Sequence, residues 1–351
     1  MRLSGLTGLR HKFSGVCIIS AVILLLFVYK QMIKIKRPES HQKQSIREDI
    51  PLHSEKDGQK VYTFNKIWKE STVCKPYKTF LHDDDFQLTN FTSKAGSIVI
   101  FTHNPDRDFV SREIKSKGAF DVHLINKVID ELNEDRDLNV IDIGTNVGQF
   151  CLSTALLGRR CIGIDAAESN IQHVCSSTEF HKFGARITLI YNALSNTHEQ
   201  IDIQLNGKGD FGAIFVDADN VSDLKRKSPA FKGNRGQSVK INTVKVDDIL
   251  DLPEISHFHK VFIKMDVEGF EHKVLLGAEK FFQKLDIRGI IMEWNWHVGR
   301  NSSVIIIDLL SKWGFIPCSI NSKVPLELGK SSKWPHDILW YPFSRYSIML
   351  D

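Results

Sequence analysis

The 351-residue sequence predicts an α/β fold: a mostly parallel sheet with helices on both faces, an antiparallel last strand, and one membrane-spanning helix ahead of it. Three observations predict this. Residues 139–165 read NVIDIGTNVGQFCLSTALLGRRCIGID, which is an apolar run, a glycine turn, a helical stretch, a second apolar run and an acid. Short apolar runs alternate with helical stretches from there to Trp313, as buried parallel strands and their crossover helices do. Residues 13–29 are almost wholly apolar and are flanked by basic sequence.

At about 17 residues that run sits at the lower edge for a spanning helix. No small-residue cleavage site follows it, so it reads as an uncleaved anchor. Arg2, Arg10 and Lys12 precede it, and Lys30, Lys34, Lys36 and Arg37 follow it, so the positive-inside count is balanced. The expected arrangement is a cytoplasmic tail (1–12), an anchor (13–29), a flexible stem (30–60), an accessory part of the catalytic domain (61–130) and the catalytic domain proper (131–351). A short span suits a thin, early secretory membrane. The expectation is therefore a type II protein of the endoplasmic reticulum or Golgi with a luminal body. Sequons at Asn90, Asn220 and Asn301 fit a luminal body. Beyond Cys17 in the span, Cys74, Cys151, Cys161, Cys175 and Cys318 show no metal-ligand spacing, and no pairing is deduced. Cys151 and Cys161 read as packing residues. The net charge of +4 gives no reason to expect a nucleic-acid partner.

In the accessory part, Phe64, Ile67 and Trp68 have the spacing of one helix face. Residues 97–102 predict a strand, and 108–130 a loop and a helix with Val122, Ile125, Val128 and Ile129 inward. In the catalytic part, residues 139–143 predict the first buried strand, 149–157 a helix and 160–164 the second strand. Residues 169–183 follow as a helix and 187–191 as a third strand. Residues 199–205 and 237–246 alternate like antiparallel or edge strands. Residues 261–265 form the next buried strand, 271–282 a helix, 287–292 a strand and 302–313 a helix. Residues 315–319 and 337–341 complete a last strand pair.

The glycine turn carries the first chemistry. Its glycines permit a tight turn and close approach of a ligand, and the following helix aims free N–H groups at it. Asp165, about 20 residues after the first glycine, suits a ribose diol. The dinucleotide pattern G-x-G-x-x-G is not met, because Asn146 stands at its second glycine. The pattern is D-x-G-x-N-x-G, over Asp142, Gly144, Asn146 and Gly148. An acid in the turn repels a pyrophosphate and suits a cationic amino-acid group, which favours S-adenosylmethionine over NAD. The second signal is K-x-D-x-E-G-x-E, over Lys264, Asp266, Glu268, Gly269 and Glu271 at the end of a buried strand.

With both motifs in place, and with Ile290-Ile291-Met292-Glu293 and the lead-in Asp108-Phe109-Val110-Ser111, the chain resembles the FkbM-type family of S-adenosylmethionine-dependent methyltransferases over about residues 108–341. The resemblance implies a Rossmann-like class I methyltransferase sheet and methylation of a hydroxyl oxygen. Asp165 stands where relatives often carry Glu. Asp142, Gly144, Asn146 and Gly148 are expected to hold the methionine portion, Asp165 the ribose, and Asn192 and Ala193 the adenine. Asp266 is expected to touch the cofactor amine or to orient or deprotonate the acceptor. Glu293 and His297 are further base candidates, His297 in an exposed aromatic loop with Trp294 and Trp296. Glu268 and Glu271 fit helix capping equally well, and Lys264 fits pairing with one of these acids. No metal is assigned, because no spacing requires one. The acceptor is expected to be a small hydroxylated molecule or a glycan, with its determinants in residues 206–236. The oligomeric state has no readable signal. A catalytically silent module on the same fold is the alternative function.

Overall fold

The computed structural model describes residues 58–205, 214–216, 238–322 and 324–348. The expected anchor and nearly all of the stem lie outside the described residues, as does most of the 206–236 loop. Among the described residues, no helix is long and apolar enough to cross a membrane.

The chain opens with a hairpin of β1 (Lys60–Asn65) and β2 (Ile67–Glu70). This corrects the helix expected from Phe64, Ile67 and Trp68. Lys66 turns the backbone through φ 66°, so Ile67 points to solvent while Phe64 is buried. β1 then pairs parallel with a central strand, which a helix could not do. Next come β3 (Gln87–Ser93) and β4 (Gly96–Thr102), an antiparallel pair of their own. Residues 108–130 hold two helices rather than one: α1 (Phe109–Lys117) and α2 (Val122–Glu134). Asp108 caps α1 by accepting from Ser111 N at 2.7 Å, and Gly118 ends it at φ 88°. Of the expected inward stripe, Ile125, Val128 and Ile129 are buried, whereas Val122 is exposed.

The central run follows in the expected order. It is β5 (Leu138–Ile143), α3 (Gln149–Leu156), β6 (Cys161–Asp165), α4 (Glu168–His181) and β7 (Ile187–Tyr191). β8 (Ala193–Leu194), β9 (Gln200–Leu205), β10 (Ile214–Val216) and β11 (Ser238–Val244) form a separate four-stranded sheet. The chain then returns as β12 (Lys260–Met265), α5 (Glu271–Leu276), α6 (Glu279–Lys284), β13 (Asp286–Glu293), α7 (Asn301–Lys312), β14 (Phe315–Cys318), β15 (Asp337–Pro342) and α8 (Phe343–Ile348). The single helix expected over 271–282 is broken at Gly277. A Cβ there would lie 2.4 Å from the Ser195 carbonyl, so the backbone passes too close for a continuous side-chain-bearing helix.

Among the described residues, the main sheet has nine strands in the order β14-β15-β13-β12-β5-β6-β7-β1-β2. From β12 through β13 on one side and to β1 on the other, every pair is parallel; β15 joins β13 antiparallel. β5 and β6 are buried along their whole lengths, as strands covered on both faces must be. The order reverses between β5 and β12, because β5 leads to β6 and β7 on one side while β12 returns on the other. That reversal opens a crevice at the carboxyl ends of the strands.

A disulfide joins Cys74 to Cys175 on α4 across a sequence separation of 101. Cys151, Cys161 and Cys318 are free and buried. Closing so long a loop restricts the unfolded chain strongly. Replacing Cys74 with Ser should cost about 2–5 kcal/mol of unfolding free energy, measured by denaturant titration of oxidised chains.

Candidate active site

The turn after β5 is shaped by an approach between two backbones. Gly144 has φ 79°, and a Cβ on it would lie 1.8 Å from the Asp266 carbonyl at the end of β12. Asp266 N in turn donates to Ile143 O at 3.0 Å. Asn146 has φ 50°, a left-handed conformation that Asn tolerates better than most residues, and its Oδ1 accepts from Val147 N at 2.7 Å. This explains why Asn replaces Gly at that position. Gly148 begins α3 at φ 85°, with Val174 of α4 only 2.9 Å from where a Cβ would sit.

Asp165 ends β6 with its carboxylate turned onto that loop. Oδ2 accepts from Asn146 N at 2.8 Å, Oδ1 accepts from Ala167 N at 2.8 Å, and Asn170 Nδ2 reaches both oxygens at 3.2 Å. Burial pushes its pKa up to about 6, against the pull of these donors.

Lys264 lies beneath the crevice, 7% exposed, one strand position before Met265. Its Nζ donates to Gly144 O at 2.5 Å and stands 3.5 Å from Asp266 and 3.8 Å from Asp142. Burial opposes its charge, but Asp266, Asp142 and Asp165 outweigh that cost and hold its pKa above the ordinary lysine value. Asp142 is fully buried, accepts from Thr145 Oγ1 at 2.7 Å, and has Lys264 as its cationic neighbour. The structure thus places a lysine of this chain where the sequence reading set a cationic ligand group beside Asp142.

The crevice itself has three walls. One wall is Gly144, Asp165 and Ala166, another is Asn192, Ala193 and Leu194, and the third is Asp266, Val267, Glu268 and Phe270. Asn192 contributes to the wall, yet its amide is engaged elsewhere. Oδ1 accepts from Phe64 N at 2.7 Å, and Nδ2 donates to Phe64 O at 3.1 Å and to Asn242 O at 2.9 Å. It clamps β1 and β11 to the end of β7.

Carboxylates crowd the third wall. Asp266 is 41% exposed toward the crevice. Glu293 lies behind it, where burial and then Asp266, Glu268 and Glu271 push its pKa far above the carboxylate range. It therefore keeps its proton at neutral pH, and this corrects its assignment as a base. Its oxygens face Trp296 Nε1 at 2.7 Å and His336 Nε2 at 3.2 Å. His297 is also corrected. It is fully buried rather than exposed, with Nε2 on Glu271 Oε2 and Nδ1 on Ser302 Oγ, both at 2.8 Å. Its neighbour Trp294 is buried too, because Trp334 packs 4.7 Å from it. Glu271 has the capping role: its Oε1 accepts from Val267 N at 3.0 Å. Asp266, Glu271 and Glu293 come within 4.8 Å of one another. Asp266 is engaged as well, by Lys264 at 3.5 Å and by Glu293 behind it, but it is the most exposed of the three toward the crevice.

Of the residues picked out in the sequence, Gly144, Asp165, Asn192, Ala193 and Asp266 line the crevice, while Asn146 and Gly148 shape its rim. Asp142, Glu293 and His297 lie behind its surface. Sequence reasoning missed Phe270 and Asn170. Phe270 stood inside the second motif and read as spacing. Asn170 had one available signal, its place one turn into the helix after Asp165.

A family model described as the methyltransferase FkbM domain matches residues 142–317, half of the chain. No curated protein matches the chain. Solved structures with a similar course include magnesium protoporphyrin IX methyltransferase from Synechocystis PCC 6803 with bound SAH. It is 13% identical over 67% of this chain and 87% of that one, with TM-score 0.33. Another is precorrin-6y C5,15-methyltransferase from Geobacter metallireducens GS-15, 11% identical over 62% and 88%, with TM-score 0.31. A third is tRNA (uracil-54, C5)-methyltransferase from Pyrococcus abyssi with S-adenosyl-L-homocysteine, 11% identical over 73% and 44%, with TM-score 0.33. Likenesses this remote carry nothing about substrate.

Two outcomes follow from the geometry. Gly144→Ala meets both a left-handed φ and the Asp266 carbonyl, a strain of about 1–3 kcal/mol or more. It should weaken S-adenosylhomocysteine binding by about ten- to a hundredfold in calorimetry. Asp165 has its pKa raised in the fold, so its contribution to stability is present below its unfolded pKa and is lost as pH rises through about 6. Ligand binding should run the other way. Protonation removes an acceptor from the loop, so affinity should fall as pH drops below about 6, and Asp165→Asn should flatten that profile.

Proposed function

The chain belongs to the FkbM methyltransferase family and is an S-adenosylmethionine-dependent methyltransferase, and on that premise we propose that it methylates a hydroxyl oxygen of a glycan or small molecule. The observation that carries this reading is Asp266. It is the acid that faces the crevice at the reversal point of the sheet, half-exposed, held by Lys264 from below and by a protonated Glu293 from behind.

In-line transfer asks the protein to align the acceptor oxygen behind the methyl group and to take its proton. The oxygen–methyl bond forms as the methyl–sulfur bond breaks. The bonding pair stays on sulfur as a thioether, and the hydroxyl proton passes to Asp266. Glu293 holds its own proton and keeps Asp266 as the acceptor of the pair. Asp165 would face the ribose, Ala193 and Leu194 the adenine, and the loop from Gly144 through Asn146 to Gly148 the methionine portion. Asp142 would act through Lys264 and Gly144, as a positioning residue.

We place this body in the secretory lumen, tethered by residues 13–29. Two features support it. Asn90 and Asn301 both stand exposed at their sequons, as glycosylation requires. The Cys74–Cys175 disulfide suits an oxidising compartment. The silent-module reading has no observation in its favour beyond the family's fold.

The full-length chain in microsomes, given labelled S-adenosylmethionine, should label a glycan, lipid or small-molecule fraction. Asp266→Asn should lower kcat by about 10²–10⁴ while S-adenosylhomocysteine affinity moves less than tenfold. Absence of label in every fraction would favour the silent module. Protease sensitivity of the body in sealed microsomes would overturn the luminal placement.

A further inference from the structure

Away from the crevice, on the far side of α4, two histidines meet one aspartate. His103 follows β4, His173 lies on α4, and Asp85 sits in the turn before β3. Both imidazoles are fully buried, with ring centroids 4.0 Å apart. Phe86 stacks on His173 at 4.0 Å and 5°, which fixes the plane of that ring.

The hydrogen-bond partners of these rings do not add up for histidines alone. Asn170 donates its Nδ2 to Asp165, a carboxylate that can only accept, so Asn170 Oδ1 faces His103. His103 Nε2, 2.9 Å from that oxygen, must carry a hydrogen. His103 Nδ1 then faces Asp85 Oδ2 at 3.0 Å. On the second ring, Nδ1 lies 2.7 Å from the Ser169 carbonyl and Nε2 lies 2.8 Å from the Asp85 carbonyl. All four ring nitrogens therefore face oxygens that accept. A neutral imidazole has one N–H, so an imidazolium at His103 on the Asp85 carboxylate satisfies the first ring, but His173 Nε2 still faces the Asp85 carbonyl without a hydrogen unless a second imidazolium forms against the first. Like charges that close in a dry site are strongly unfavourable.

We propose that Asp85, His103 and His173 bind a divalent metal ion of the zinc class. With Nε2–H of His103 on Asn170 and Nδ1–H of His173 on Ser169, the remaining lone pairs are His103 Nδ1 and His173 Nε2. Both face Asp85, the first its carboxylate and the second its carbonyl. One ligand atom from each of the three residues lies within 4.8 Å of the others. A zinc ion with bonds of about 2.0–2.2 Å brings such atoms to within roughly 3.5 Å of one another, a small adjustment. The outer N–H of each histidine is already held by an oxygen, the arrangement that orients metal-bound imidazoles. Asp85 Oδ1 is likewise held by Asn104 N at 3.1 Å. The 31% exposure of the Asp85 side chain leaves a side open for a water ligand. Two imidazoles and a carboxylate suit zinc better than calcium or magnesium.

The ion would fix the His103 tautomer and so fix Asn170 against Asp165. Only this last link rests on the reading of Asp165 as a cofactor residue.

The test uses the full-length chain, stripped with chelator and titrated with Co²⁺, then Zn²⁺. The expected result is about one equivalent of Co²⁺, with the intense visible band of a four- or five-coordinate ion and no thiolate charge-transfer band. Zn²⁺ should displace it and raise the melting temperature. Asp85→Asn and His173→Gln should each lower Co²⁺ affinity by at least about tenfold. If the unsubstituted chain gives no such band and Zn²⁺ leaves its melting temperature unmoved, the site is overturned, whether or not a variant folds. A band that persists unchanged in Asp85→Asn also overturns it. Metal stoichiometry is read without cofactor, so its failure is distinct from failure of methyl transfer.

Discussion

The crevice depends on one buried cation. Lys264 sits under the point where β5 and β12 diverge, and its ammonium joins the Gly144 carbonyl, Asp142 and Asp266. A lysine there without partners would be expelled or neutralised, because burial disfavours its charged form. With three carboxylates near it the charge persists, and it binds the loop after β5 to the loop after β12. That is why Gly144 can approach the Asp266 carbonyl so closely that no side chain fits between them. The two sequence motifs are therefore halves of one electrostatic unit, brought together by strand pairing of Lys264 with Asp142 in the sheet.

The same crowding assigns roles to the acids. Four carboxylates in one corner cannot all ionise and remain unshared. Glu271 has its two oxygens engaged by His297 and Val267 N. Glu293 keeps its proton. Asp142 answers Lys264. Asp266, between Lys264 and Glu293, is the one that faces the crevice. The surroundings of each acid, and not its distance along the chain, decide which one can receive a proton from an acceptor.

The strands and the crevice were legible because buried parallel strands are continuous apolar runs, and every such run from residue 139 onward became a strand where expected. The opening hairpin was not legible. Phe64, Ile67 and Trp68 have helical spacing, and only Lys66, a lysine in a left-handed turn, separates the two strands. A positive φ at lysine has no sequence signal. The break at Gly277 was hidden for a related reason: it answers to Ser195, a residue far off in the chain. In the site, glycines and acids at strand ends were readable from position alone. His297 was not, since burial of a histidine depends on the Glu271 that reaches it from another helix.

The length of one side chain links the crevice to the outer elements. At residue 165 the short aspartate side chain keeps its carboxylate back among the N–H groups of its own loop. A carboxylate has about four acceptor positions. Two are filled by backbone donors at 2.8 Å, and the others by one Asn170 amide stretched between both oxygens at 3.2 Å. The shared amide is the weaker partner, so a ligand hydroxyl would enter there. How readily Asn170 yields is set by His103, which holds the amide's other end at 2.9 Å. His103 is in turn placed by β4 and Asp85, and α4 is tied to the N-terminal part by Cys74–Cys175. The accessory segment thus reaches the acid through the Asn170 amide, as it reaches the opposite wall through the Asn192 amide on Phe64.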